Sequence, residues 1–158
     1  MRQTLKTSWG PMVAVFRHGK LNGLGFGKGD CDAFEDCAKN LEVQLEEYFT
    51  LKRKSFDIQI DPDGTDFQKA IWNACREIPY GSVLAYSGLA AKIGRPNSQR
   101  ACGNALGQNP ILIVVPCHRV VAKHGIGGFG GKPGDLTMKI RLLELEKPGI
   151  SSNLHQIS

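Results

Sequence analysis

The sequence predicts an α/β protein built as two small domains, and three observations carry that expectation. The first part alternates short apolar runs with one amphipathic segment, a turn-forming break follows at Asp61-Pro62-Asp63-Gly64, and the remainder is dominated by helical spacing and helix stop signals. The expected boundaries are 1–62 for an amino-terminal α/β domain, 63–150 for a mainly helical domain that carries the chemistry, and 151–158 for a tail. A length of 158 residues with 41% hydrophobic and 22% charged residues can bury a real core and excludes a large multidomain enzyme.

Met12 to Phe16 and Leu21 to Phe26 are apolar runs around His18-Gly19-Lys20, the pattern of a hairpin. Phe34, Ala38, Leu41, Leu45, Tyr48 and Phe49 then recur at helical spacing, and Phe56, Ile58 and Ile60 alternate as in a half-buried strand, giving the order strand, strand, helix, strand. Thr65-Asp66-Phe67-Gln68 has the form of a capping box, with Phe67, Ile71, Ala74 and Ile78 as the buried face behind it. Pro79-Tyr80-Gly81 ends that helix. Shorter helices are expected at about Ser87 to Ile93, stopped by Gly94, and at about Ser98 to Leu106. With Gly94-Arg95-Pro96-Asn97 between them they make a helix-turn-helix outline, a pairing that many α-rich domains also contain. Asn97, Ser98, Gln99 and Arg100 cluster at the start of the second, and Ala101, Gly103, Ala105 and Gly107 are small. Small residues admit close approach, either of a neighbouring helix or of a DNA groove. The minor groove, about 6 Å wide against a helix about 10 Å across, would have to widen.

Twenty Lys and Arg against 15 Asp and Glu give a net charge of +5, which favours polyanionic partners. No apolar run approaches the roughly 18 residues that span a bilayer, and Met1 to Trp9 lack the apolar stretch of a secretion signal, so a cytoplasmic protein with no membrane partner is expected. Cys31, Cys37, Cys75, Cys102 and Cys117 match neither a disulfide framework nor paired zinc knuckles, and reduced thiols are the simpler account.

After Asn109-Pro110, the buried run Ile111 to Val115 delivers Pro116-Cys117-His118-Arg119 to its far end, where a rigid element can present reactive groups. Cysteine is the strongest nucleophile in the chain but acts as thiolate, so it needs a base; His118 can serve, directly or through one water. A carboxylate would orient the imidazole. The last helix, roughly Asp135 to Glu146, offers Glu144 and Glu146 beside the apolar face of Ile140, Leu142, Leu143 and Leu145, and residue types alone do not choose between them.

Pro116-Cys117-His118-Arg119-Val120, with Arg100-Ala101-Cys102-Gly103 and Asn109-Pro110 before it and Gly127-Gly128-Phe129-Gly130-Gly131 and Lys139-x3-Leu143-x2-Glu146 after it, resembles the O6-alkylguanine-DNA alkyltransferase family. The resemblance runs continuously from about Thr65 to Glu146. It implies a winged helix-turn-helix-like alkyltransferase domain, preceded by a small ribonuclease-H-like domain for which no motif matches. It further implies that Cys117 takes the alkyl group irreversibly, with His118 as water-mediated base, Glu146 completing the relay and Asn109 bracing the turn. Arg100 would enter the base stack, Tyr86 would rotate the target phosphate and hydrogen-bond N3 of guanine, and backbone near Val120 and Gly130 would read the base, with Phe129 lining the pocket. Ser98, Gln99, Ala101 and Gly103 would lie with Arg100 along the DNA. The implied partner is double-stranded DNA containing O6-alkylguanine, bound by a monomer, with no cofactor.

The sequence departs from the usual family pattern in four places, Cys102 for a common valine, Phe129 for a frequent tyrosine, a segment before it one residue shorter, and Lys132-Pro133-Gly134 as an insertion, of which Phe129 and the altered loop concern the pocket. Some members of the family carry zinc in the amino-terminal domain; Cys31, Cys37 and His18 do not have a zinc-site spacing, and no metal is expected. Two other readings stand beside the first. One is a DNA-binding sensor or regulator of alkylation damage without transfer, the other a Cys-His hydrolase, for which no third member stands out.

Overall fold

The computed structural model describes residues 1–29, 36–123, 125–127 and 136–154. Its chain divides into two units, Met1–Asp63 with Pro110–Val114, and Gly64–Asn109 with Val115–Ser158. The break falls between Asp63 and Gly64, one residue from the expected 62/63 boundary, and the first unit also takes in a later segment. Five residues of the second segment, Pro110–Val114, belong to the first unit.

The first unit opens with β1 (Arg2–Thr7), β2 (Gly10–Arg17) and β3 (Lys20–Phe26), an antiparallel sheet in sequence order. Arg17 pairs with Lys20 across the two-residue turn His18-Gly19, whose φ values of +52° and +75° both lie in the left-handed region that the twist of a tight hairpin favours. β1 is an addition to the expected order. Its inward positions are Gln3 and Leu5, so only one residue of the buried pair is apolar and the alternation is faint in the sequence. α1 (Asp36–Phe49) packs on β1 through a buried stripe of Ala38, Leu41, Leu45, Tyr48 and Phe49.

The strand expected at Phe56 to Ile60 reduces to one parallel bridge, Ile60 to Leu21. The physical reason is local. Asp57 gives its amide to the Gln44 side chain at 2.9 Å and its carbonyl accepts from the same amide group at 3.2 Å, so a helix side chain takes the backbone groups that a ladder would use. The other end of β3 receives Ile111, again in parallel, with Leu24 donating to the Pro110 carbonyl at 2.8 Å and Leu112 donating to the Leu24 carbonyl at 3.0 Å.

The second unit starts at α2 (Asp66–Arg76), with the capping box formed: Gln68 donates its amide to the Thr65 hydroxyl at 3.1 Å and the Thr65 amide donates to Gln68 Oε1 at 2.9 Å. Then follow β4 (Leu84–Ala85), α3 (Tyr86–Lys92), α4 (Gln99–Gly107), a 3-10 turn (Cys117–Arg119), β5 (Val120–Val121), α5 (Thr137–Glu146) and α6 (Ile150–Asn153). β4 and β5 pair in parallel, and α2 and α3 both pack on α4. Trp72 ties α2 to α4 by donating its indole N–H to the Ala105 carbonyl at 2.8 Å in the core.

Two further expectations are corrected. Of the expected tail 151–158, the described residues 151–154 are packed, because α6 lies on α5 and Ile150 and Leu154 are buried with Val121 and Leu143. The buried face of α5 is Lys139, Leu142, Leu143 and Glu146 rather than Ile140, Leu142, Leu143 and Leu145. Those positions follow helical spacing, and its two ends are polar because they serve the site described below. No helix among the described residues is long and apolar enough to cross a membrane.

Replacing Thr65 by Ala removes an N-cap whose loss ordinarily costs about 1 kcal/mol. The unfolding free energy of the variant is expected to fall by that amount, seen as a lower urea midpoint at unchanged slope by far-ultraviolet circular dichroism.

Candidate functional site

Two tight turns bring the chain to the cysteine. Ile113 has φ +71°, where a β-branched residue is strained by about 1–3 kcal/mol, and the Val114 amide closes onto the Leu112 carbonyl at 2.8 Å. Pro116, at φ −81° and ψ 63°, then bends the backbone so that the Cys117 amide donates to the Val115 carbonyl at 2.8 Å, an inverse γ-turn. The same carbonyl accepts from Asn109 Nδ2 at 2.9 Å, and the Asn109 side chain also hydrogen-bonds the Cys117 thiol. Asn109 thus fixes both the turn and the sulfur.

The turn Cys117–Arg119 is buried throughout. Burial pushes the Cys117 thiol up from its ordinary value, while the Asn109 hydrogen bond and the Lys139 charge pull it back. The resting sulfur is therefore protonated at neutral pH, and it has to lose a proton to act. His118 Nε2 lies 2.9 Å from Glu146 Oε1, with both side chains essentially out of solvent. Its other nitrogen, Nδ1, is buried and has no hydrogen-bond partner among the described residues. A carboxylate only accepts, so the proton sits on Nε2 and the lone pair on Nδ1. Burial also holds His118 below its ordinary value, against the pull of Glu146.

Glu146, not Glu144, is the carboxylate at the imidazole. Burial alone would raise it, but hydrogen bonds from His118 and Arg119 and the guanidinium charge outweigh burial and bring it to about 2. Glu144 turns instead to the start of α6, just past the same end of α5, where it accepts from the amides of Gly149 and Ser151 and from the Ser151 hydroxyl. It caps α6.

Two cations complete the cluster, and both lay inside quoted motifs without a role. Arg119 grips Glu146 through Nε and Nη2. Lys139 is fully buried, donates to the Val120 carbonyl at 2.7 Å and lies 5.9 Å from the centre of the Tyr86 ring. Burial brings its ammonium down to about 8. The seven-residue interval between Lys139 and Glu146 is two helical turns, so their common face was readable from spacing alone.

Tyr86, the first residue of α3, is half-buried against two glycines. A Cβ at Gly103 would come 3.7 Å from the ring, and one at Gly127 would sit 2.9 Å from the phenolic oxygen, at a backbone φ of +78° that already favours glycine. Small residues on α4 thus serve packing at Gly103 and Ala105. The exposed residues of the same helix include Gln99, Arg100, Ala101 and Asn104. Ser98 is half-buried; its hydroxyl donates to the Arg95 carbonyl and lies 3.6 Å from the buried Cys102 sulfur. Phe129, Gly130, Lys132-Pro133-Gly134 and Cys31 lie outside the described residues.

Residues 66–148 match the family model described as 6-O-methylguanine DNA methyltransferase, DNA binding domain. A methylated-DNA–protein-cysteine methyltransferase of Methanosarcina acetivorans is 46% identical over 112 residues, 71% of this chain and 70% of that protein. An inducible one of Bacillus subtilis is 45% identical over 113 residues, 72% of this chain and 62% of that protein. Among solved structures, Mycobacterium tuberculosis OGT in complex with DNA superposes with a TM-score of 0.81 at 37% identity, over 92% of each chain.

The buried charges set a pH dependence of stability. Glu146 titrates lower in the folded protein than its ordinary 4.5, so its contribution is present above 4.5 and is lost as pH falls through about 2. Lys139 titrates at about 8 against 10.5, so the unfolded chain holds the extra proton between those values and stability rises with pH there. Urea midpoints against pH are expected to show both slopes, with Glu146→Gln flattening the acid one and Lys139→Met the alkaline one.

Proposed function

Because the chain belongs to the 6-O-methylguanine DNA methyltransferase family, we propose that it repairs duplex DNA by moving the alkyl group from O6 of guanine irreversibly to its own Cys117. The observation that carries this reading is the buried His118 imidazole, in the same turn as Cys117, pinned at Nε2 by Glu146 with a lone pair left on Nδ1. Nδ1 takes the thiol proton, directly or through one water, and the thiolate attacks the alkyl carbon. The sulfur–carbon bond forms as the carbon–O6 bond breaks, and the electron pair passes to the guanine. Tyr86, at the edge of the same cluster, hydrogen-bonds N3 and supplies a proton there, so the base leaves neutral. The proton lost by sulfur balances the one gained by the base. The thioether has no return path, so one molecule repairs one lesion and no cofactor takes part.

The base must leave the duplex to reach a buried sulfur, at a cost of a few kcal/mol. Arg100, exposed near the start of α4 with Ser98, Gln99 and Ala101 around it, enters the stack behind it, and Gly103 lets Tyr86 stand close to the helix. The carbonyl of Val120 keeps a second lone pair beside its bond to Lys139, and this can accept from the guanine amine. Phe129 and Gly130 are read as the rest of the pocket. The α3–turn–α4 pair with the short β4–β5 ladder supports a winged helix-turn-helix-like arrangement, and the β1–β2–β3 sheet followed by α1 supports a ribonuclease-H-like amino-terminal domain. The protein is read as acting as a monomer in the cytoplasm.

Mixing with a duplex carrying one O6-methylguanine is expected to add one methyl group to the peptide containing Cys117, detected by mass spectrometry. Cys117→Ser is expected to bind the same duplex and accept none; turnover beyond one equivalent, or transfer in that variant, contradicts the reading. Arg100→Ala is expected to slow repair of the duplex strongly, yet to react with free O6-benzylguanine at nearly the parental rate if the pocket admits it. Equal slowing in single-turnover assays on both substrates rules out the flipping role.

A further inference from the structure

Arg119 has no part in the transfer as described, yet it is built into the site more firmly than any other cation. Its Nε lies 3.1 and 3.0 Å from the two oxygens of Glu146, its Nη2 2.6 Å from Oε1, and its Nη1 donates to the Ile78 carbonyl at 2.7 Å, just beyond the end of α2. The guanidinium is 5.8 Å from the centre of the Tyr80 ring, and the residue is 7% exposed. A buried carboxylate against an imidazole can be neutralised in two ways. It can draw a proton onto the imidazole, making an ion pair, or it can be matched by a separate fixed cation. The first would put a proton on both ring nitrogens of His118 and remove the lone pair that base catalysis needs.

We propose that Arg119 is a positioning residue for alkyl transfer, a charge clamp that neutralises Glu146 by bonding Oε2 and sharing Oε1 with His118, and so leaves the imidazole neutral with Nδ1 open. The inference rests on the reading of His118 as the base. A guanidinium suits the task because it keeps its charge at every accessible pH and its flat fork spans both carboxylate oxygens. Its hydrogen bond to Ile78 fixes the fork to the end of a helix, which holds the rotamer of Glu146 and with it the plane of the His118 ring. The charged and titratable groups set around His118 are Glu146 and Lys139 from α5, and Cys117 and Arg119 from its own turn, with Cys75 of α2 beyond Cys117 and Tyr80 beyond Arg119. Of the two cations, Lys139 is engaged by the Val120 carbonyl, whereas Arg119 bonds the carboxylate itself.

The test follows the His118 ring by nuclear magnetic resonance through a pH titration of the full-length protein, alongside single-turnover transfer rates on an O6-methylguanine duplex over the same pH range. In Arg119→Met the His118 titration is expected to move up by about 1–3 units, the usual effect of an opposite charge no longer shared. The acid limb of the rate profile should move with it, losing about tenfold in rate per pH unit below the new midpoint. Arg119→Lys, which keeps the charge, should move both less. Should Arg119→Met not fold, the pair Glu146→Gln and Arg119→Met/Glu146→Gln decides. The clamp requires His118 to titrate higher in the double variant than in the single one, because both keep Lys139 but only the single variant also keeps the guanidinium next to the ring; equal values overturn it. A rate loss of the same size at every pH, with the His118 titration unmoved, also overturns it and makes Arg119 a packing residue. A titration that moves while the rate profile stays in place overturns His118 as the base, and with it the part of Arg119 in transfer.

Discussion

Everything around the reactive sulfur depends on one buried carboxylate. Glu146 sits at the end of α5 with its side chain almost wholly removed from water, and a charge in that position survives only if it is paired and hydrogen-bonded. Arg119 and His118 supply those bonds, and each is thereby held in a single orientation. Removing one partner of such a cluster ordinarily costs about 3–5 kcal/mol, because the other charge is left unmatched in the core. The geometry of the candidate site and the stability of the second unit are in this sense the same interaction.

That constraint explains features that otherwise look unrelated. The 3-10 turn has to place Cys117, His118 and Arg119 on different sides within three residues, and the tight i to i+3 winding directs successive side chains about a third of a turn apart. The bends at Ile113 and Pro116 set the chain up for that turn, and Asn109 holds the second of them through the Val115 carbonyl. α5 keeps its N-terminal buried position for Lys139, which secures the Val120 carbonyl on β5, and its C-terminal one for Glu146. A helix with polar groups at both ends of its inner face is costly as packing and makes sense as the back wall of a site.

α4 shows how one helix answers two demands. Ala105 and Leu106 face the core, where the Ala105 carbonyl takes the Trp72 indole, and Gly103 makes room for Tyr86. Gln99, Arg100, Ala101 and Asn104 face outward. Its run of small residues had two meanings at the level of residue types, and the structure gives the packing meaning to Gly103 and Ala105 while leaving Ala101 on the outer face.

The residues alone determined a good deal. Local rules located the His18-Gly19 hairpin, the Thr65 capping box, the break near Asp63 and the stop after α3, because each depends on a few neighbouring backbone groups. Cys117, His118 and a downstream glutamate were also legible, since a thiol nucleophile needs a base and a carboxylate to orient it, whereas Asn109 entered only through the family resemblance. What only the tertiary structure decided was partnership at a distance. Glu144 and Glu146 are equivalent in composition, and which one meets His118 depends on the rotation of α5 about its axis. The Phe56–Ile60 segment has the alternation of a strand, yet Gln44 on α1 claims the backbone of Asp57. Arg119 and Lys139 stood inside the motifs with no role, and only their burial and their bonds to Glu146 and to the Val120 carbonyl supply one. Hydrogen bonds between residues tens of positions apart leave no periodic trace, because their geometry is set by packing that no local pattern encodes.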